Sequence, residues 1–220
     1  MKIRTCENNP YVEMMYKDFK DWSFDESAKN FKGLWRSQVY NCSGETPLDL
    51  EIGTGNGTHF AQLARAYPDR MFFGLELKYK TLVQSIRRAL REGSTNARMA
   101  RFRAEGILEI FADQEIDNVY IHFPDPWPKK RHNKNRLIQK QFLCNLFQVM
   151  RPGGLVEFKT DDRDYFDWAV QFFNKSSFVM KFYSEDLHNS IRQDQNFVTH
   201  FESLFLRKKQ PIFYCLLLKP

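Results

Sequence analysis

Four short apolar runs, separated by stretches in which apolar residues recur every three or four positions, constrain the fold of this chain more than any other feature. The runs are LDLEI (48–52), MFFGLEL (71–77), NVYIHF (118–123) and GLVEFKT (154–160). Between them lie segments such as THFAQLARAY (58–67), YKTLVQSIRRALREG (79–93) and RLIQKQFLCNLFQVM (136–150). The short runs read as strands and the longer periodic segments as helices, and their alternation builds a parallel sheet covered by helices on both faces. ARMARFRA (97–104) adds a weaker strand, and RPGG (151–154) stops a helix and turns into the next strand. FVMKFYS (178–184) and IFYCLLLKP (212–220) also read as strands, with no long helical pattern between them, so they are expected to pair as antiparallel edge strands. The expected class is therefore α/β, a Rossmann-like doubly wound, mainly parallel sheet of about seven strands with an antiparallel C-terminal strand. No repeat or low-complexity linker divides the chain. Residues 47–220 are expected to form the principal domain, and residues 1–46, polar and aromatic without clear period, an extension packed onto or reaching over it, in a single domain overall.

A chain of 220 residues with 42% hydrophobic residues, 21 of them Phe, can bury a sizeable core, and that excludes a disordered tail. The formal net charge of +6 makes an anionic partner an expectation, with nucleic acid or an anionic membrane surface as the obvious choices. Cys6, Cys42, Cys144 and Cys215 are scattered without a CxxC or a neighbouring His pair, so neither a cysteine-based metal site nor a disulfide framework is suggested. The opening MKIRTCENNP lacks the apolar stretch of a leader, and no apolar run approaches membrane-spanning length. A reduced cytoplasmic location, away from membranes, is the expectation.

Ligands of doubly wound sheets bind beyond the carboxyl ends of the strands, where strand order reverses. The first such loop is LDLEIGTGNGTHF, with Gly53, Gly55 and Gly57 leading into a helix near Thr58. Thr58 stands where the dinucleotide fingerprint GxGxxG places its last glycine, which disfavours nicotinamide cofactors. Glu51 precedes the turn, and Glu76 ends the next strand where an acid can accept hydrogen bonds from two ribose hydroxyls. Carboxylates beside a glycine turn repel pyrophosphate and attract a cation. S-adenosylmethionine, with a ribose, a sulfonium, an ammonium and no phosphate, is the expected cofactor; a structural pair of strand-end acids is the alternative.

FPDPWPKKRHNKNR (123–136) follows the fourth strand, across the switch point from that turn. Pro124, Pro126 and Pro128 restrict their own backbone and that of the preceding residue, so Asp125 and Trp127 have little entropy left to lose. Lys129, Lys130, Arg131, Lys134 and Arg136 then supply charge for phosphates, and aromatic planes stack on unpaired bases. A solvated charged face and an ordinary core tryptophan are the bland alternatives.

LEIGTGNG, GLE, FPDPWPKKRHNKNR, KTD and THFE, in this order, resemble the bacterial tRNA (guanine-N7-)-methyltransferases over most of the chain from about residue 47. The resemblance implies a class I methyltransferase fold, tRNA as partner, and methylation of the guanine at position 46 in the variable loop. It further implies that Glu51, Glu76 and Asp125 contact the methyl donor, that Asp125 is catalytic, and that Lys129, Asp161, Thr199, His200, Phe201 and Glu202 meet the RNA. Two positions depart from the pattern. His200 stands where the family has Lys, and Arg103 stands before Ala104 where it has an acid. Arg103 has only donors and cannot accept a hydrogen bond from an adenine amine. Either Glu105, two residues on and on the same face if the strand persists, takes that place, or the loop backbone does and Arg103 joins Arg98 and Arg101 facing RNA.

Guanine N7 carries an in-plane lone pair, so its methylation needs neither a strong general base nor a metal, and no metal ligand is expected. An RNA or DNA amino-methyltransferase is disfavoured because DPW has one proline before its aromatic where that class has two. A non-enzymatic RNA-binding protein on the same fold is disfavoured by the intact acids. Oligomeric state is left open between monomer and homodimer.

Overall fold

The computed structural model describes residues 9–220. Cys6 and most of the opening stretch lie outside the described residues. Eight strands form one sheet: β1 (Ser23–Phe24), β2 (Leu48–Ile52), β3 (Met71–Leu75), β4 (Ala97–Ala100), β5 (Val119–His122), β6 (Leu155–Thr160), β7 (Val179–Ser184) and β8 (Phe213–Leu218). Their spatial order is β1-β4-β3-β2-β5-β6-β8-β7. Strands β1 to β6 pair in parallel, whereas β8 pairs antiparallel with both β6 and β7. The expected class is thus observed with one strand more than counted. The extra strand is β1, whose two residues pair with Met99 and Ala100, too short a run to carry a periodic signal. The two C-terminal strands pair antiparallel as expected, but β8 is interior and of the two β7 alone lies at an edge. MFFGLEL stops being a strand at Leu75, which leaves Glu76 in the loop beyond it.

The helices are α1 (Pro10–Tyr16), α2 (Thr58–Ala66), α3 (Tyr79–Arg91), α4 (Ile107–Ile110), α5 (Lys140–Val149), α6 (Arg163–Phe173) and α7 (His200–Arg207). No helix among the described residues is long and apolar enough to cross a membrane. One face of the sheet (Leu48, Leu50, Ile52, Val119, Ile121, Val156, Phe158) packs against α4, α5, α6 and the fully buried Trp35, whose indole Nε1 donates to the Ile110 carbonyl at 2.7 Å. Met15 of α1 and the apolar sides of α2 and α3 cover β3 and β4 on the other face. Burying these stripes is the main favourable term, at about 25 cal/mol per Å² of apolar surface.

Four helices escape the sequence reading, the short α1 and α4 and the longer α6 and α7. In α6 the buried positions Tyr165, Phe166, Ala169 and Phe173 form a helical stripe, and the Asp162 side chain caps its start by accepting from the Tyr165 N–H at 2.7 Å. In α7 the Thr199 hydroxyl accepts from the Glu202 N–H at 3.0 Å, while Glu202 accepts from the Thr199 N–H at 3.1 Å. THFE is thus also a capping box, a helix start signal that stood in the sequence.

Candidate active site and nucleic-acid interface

Adjacent parallel strands β2 and β5 are the switch point, and the two loops leaving their carboxyl ends define the site. After β2 the backbone turns through Gly53, Gly55 and Gly57 with φ of 79°, 55° and 76°. L side chains are strained there, so glycine is the residue that bends at no cost. A Cβ at Gly53 or Gly55 would meet nothing within 4 Å, so open space lies over this backbone. At Gly57 a Cβ would sit 2.5 Å from the Ser85 Cα, so this glycine lets α2 and α3 pack. The turn is anchored by the Gly53 N–H donating to the Leu75 carbonyl at 2.8 Å. Glu76 is oriented by three backbone amides: Gly55 donates to Oε2 at 3.2 Å, and Leu77 and Lys78 donate to Oε1 at 2.8 and 3.0 Å. The Thr54 hydroxyl in the turn is buried without a partner. Open space over bare backbone, a pre-oriented acid and an unpaired hydroxyl suit a ribose-bearing, phosphate-free ligand.

Glu51 is buried at the end of β2, and its Oε2 lies 2.8 Å from His59 Nδ1 on the first turn of α2. Register places it level with Tyr120, Tyr120 level with Glu157, and His122 level with Lys159. The central part of this sheet face is therefore polar. His122 Nε2 meets Glu157 Oε1 at 2.9 Å, the Tyr214 hydroxyl donates to Glu157 Oε2 at 3.0 Å, and Lys159 lies 3.4 Å from Glu157 and 3.3 Å from Glu202. Lys159 also donates to Asn196 and to the Phe197 carbonyl, and Glu202 takes His188 Nε2 at 2.7 Å. Burial, reinforced by the Lys159 charge, holds the His122 imidazole well below its ordinary pKa and so neutral. Burial alone would raise the Glu157 carboxyl, but Lys159 and the His122 hydrogen bond outweigh it and hold it well below the carboxylate range. This network runs from the glycine turn to the start of α7, and the sequence reading missed it apart from its two ends. Its signal was the alternation of polar with apolar residues in NVYIHF and GLVEFKT, unusual for interior parallel strands.

After β5 the loop is built the opposite way. Phe123 and Trp127, each directly before a proline, take φ of 50° and 47°, a left-handed conformation uncommon for bulky residues. Between them Asp125 is exposed, whereas Phe123 packs on Phe205 and Trp127 stands edge-on to His132. Lys129, Lys130, Arg131 and Lys134 follow as an exposed row. Arg136 does not belong to it: the residue is buried, stacks on Tyr165 and Trp168 at 5.2 and 5.0 Å, and donates to the Pro126 carbonyl at 2.8 Å. It ties the loop down, because its planar guanidinium can stack and donate at once.

The other expected site residues divide by exposure. Asp161 is half-buried after β6, and burial pushes its carboxyl pKa up. His200 and Phe201 are exposed on the first turn of α7. Thr199 and Glu202 are buried, with their polar atoms spent on the capping box and the network. β4 ends at Ala100, so the condition for placing Glu105 by strand alternation is not met; Arg103 and Glu105 are both exposed and pair with each other at 3.0 Å.

A family model described as "Putative methyltransferase" matches residues 45–215. Among solved structures, a 16S rRNA methyltransferase, KamB, superposes with a TM-score of 0.57 at 14% identity, covering 79% of this chain and 88% of that one. An rRNA methylase from Streptococcus thermophilus superposes with a TM-score of 0.55 at 14% identity, covering 80% and 87%. These likenesses establish the fold. A tRNA (guanine-N(7)-)-methyltransferase of Bdellovibrio bacteriovorus is 51% identical over 84% of this chain and 90% of its own length. One of Bacillus licheniformis is 35% identical over 88% and 94%. With that much of both sequences aligned, on a fold whose switch point carries this pair of loops, the chain belongs to the tRNA (guanine-N(7)-)-methyltransferase family.

Proposed function

We propose that this protein methylates N7 of a guanine in tRNA using S-adenosylmethionine, with the guanine at position 46 of the variable loop as its target. The observation that carries the reading is the rigid Asp125 loop standing opposite the glycine turn at the switch point. When bound, S-adenosylmethionine supplies an electrophilic methyl group. Gly53 and Gly55 give it open backbone, Glu76 accepts from the ribose, and Glu51 adds negative charge beside the turn. Arg103 and Glu105 lie near the place where this fold holds an adenine, and that role is part of the proposal.

The attacking nitrogen needs no proton removed. Methylation leaves the imidazole ring positive, so the Asp125 carboxylate, fixed before substrate arrives, stabilises charge as it develops. Alignment supplies most of the acceleration, since well-oriented reactants gain about 7–11 kcal/mol. Lys129 and its exposed basic neighbours hold phosphates, while His200, Phe201 and Asp161 line the approach to the base. Thr199 and Glu202 act through the helix start that presents His200 and Phe201. Isotope-labelled methyl donor, tRNA and digestion to nucleosides test the reading: labelled 7-methylguanosine is expected, and lost when the transcript carries adenine at position 46. Label on an exocyclic amine, or none, overturns it.

A further inference from the structure

His59, His122 and Glu157 come from three elements far apart in sequence, and each offers a ligand atom within 4.8 Å of the others. We propose that these three residues bind a borderline divalent cation of the zinc type, which ties the first turn of α2 to the end of β5 and the middle of β6. Two imidazoles and one carboxylate are a donor set that suits Zn²⁺, with a fourth position left for water. His122 Nδ1 is buried with no hydrogen-bond partner, an uncommon state for a polar atom at 8% residue exposure. The neighbours are those that a metal-ligating set needs. Glu51 takes His59 Nδ1 at 2.8 Å, the carboxylate–histidine arrangement that fixes a ring and leaves its other nitrogen to the metal. Tyr214 holds the second oxygen of Glu157 at 3.0 Å.

Charge favours the cation as well. The connected cluster contains three carboxylates, the buried Glu51 and Glu202 and the half-buried Glu157, against one buried ammonium, Lys159. A divalent cation offsets this excess of carboxylates, and uncompensated buried charge is costly. Lys159, 3.4 Å from Glu157 Oε1, opposes the cation, and Glu202 at 3.3 Å from that ammonium offsets it. Spacing rules built on Cys and His pairs close in sequence do not find such a set.

The test uses the full-length protein purified without chelators from zinc-supplied cells. About one equivalent of Zn²⁺ per chain is expected by elemental analysis. After chelation, Co²⁺ is expected to give visible d–d absorption that saturates at about one equivalent. At a hundredfold excess over its Kd, Zn²⁺ should raise the folded-to-unfolded ratio about 100-fold in urea denaturation. That gain should vanish in His122→Asn and in Glu157→Gln; if either variant does not fold, the wild-type Co²⁺ spectrum and stoichiometry decide. Absence of the Co²⁺ band, or stabilisation by Zn²⁺ that persists in both variants, overturns the site.

Discussion

The loops after β2 and β5 both run through left-handed backbone, but they reach it by opposite means. The first uses glycines, for which such φ values are free; the second uses Phe123 and Trp127, held before prolines, at about 1–3 kcal/mol each. The difference matches what each loop must do. One leaves room, because a side chain at Gly53 or Gly55 would fill the space over the turn. The other spends stability to aim one carboxylate, and Arg136 fastens it from behind through the Pro126 carbonyl.

The comparison breaks most readily at Asp125. Asp125→Ala should lower turnover about 10²-fold or more, with an unchanged urea midpoint because the side chain is exposed; a near-normal rate at saturating donor and tRNA would mean the rigid loop aims nothing. Gly57→Ala should destabilise by about 3 kcal/mol in urea denaturation, since the methyl group meets the α3 backbone in a strained conformation. Gly53→Ala should cost only the strain, about 1–2 kcal/mol, yet weaken donor binding measured by calorimetry. Equal stability losses at the two glycines would erase the distinction between packing and cradle. Lys129→Ala with Lys130→Ala should reduce the salt slope of tRNA binding by about 1.5 and leave donor affinity unchanged, whereas Arg136→Ala should act on stability instead. The smallest effect is Trp127→Gly: relief of backbone strain offsets lost contacts to within about 1 kcal/mol, while turnover falls as the loop loses its direction. A large stability loss there would show that Trp127 serves mainly as packing.

Much of this was legible in the sequence because strands and long amphipathic helices write their burial as periodicity, and because proline and glycine act locally. The runs that became β2, β5 and β6, and the loops between them, belong to that class. What stayed hidden depends on tertiary neighbours. Arg136 looked like one more charge in a basic run, and only the placement of Tyr165 and Trp168 makes it a buried tether. Glu202 was read from its motif as a substrate contact, and only packing shows it wholly buried between Lys159 and His188. α6 was missed although its buried stripe and its Asp162 cap both stood in the sequence, and β1 because two residues carry no period.

The pairing of β1 with β4 has a consequence for how the chain is made. Phe24 finds its partner at Ala100, and the Trp35 indole finds its acceptor at Ile110, so these two aromatic residues wait for segments about 75 residues downstream. At ribosomal speeds of about 5–20 residues per second that wait lasts on the order of 4–15 s, during which these side chains stay in water. Closing so many distant pairings also places folding on the slow side for a domain of this size. A refolding rate governed by docking of the N-terminal segment is therefore the outcome expected in refolding kinetics.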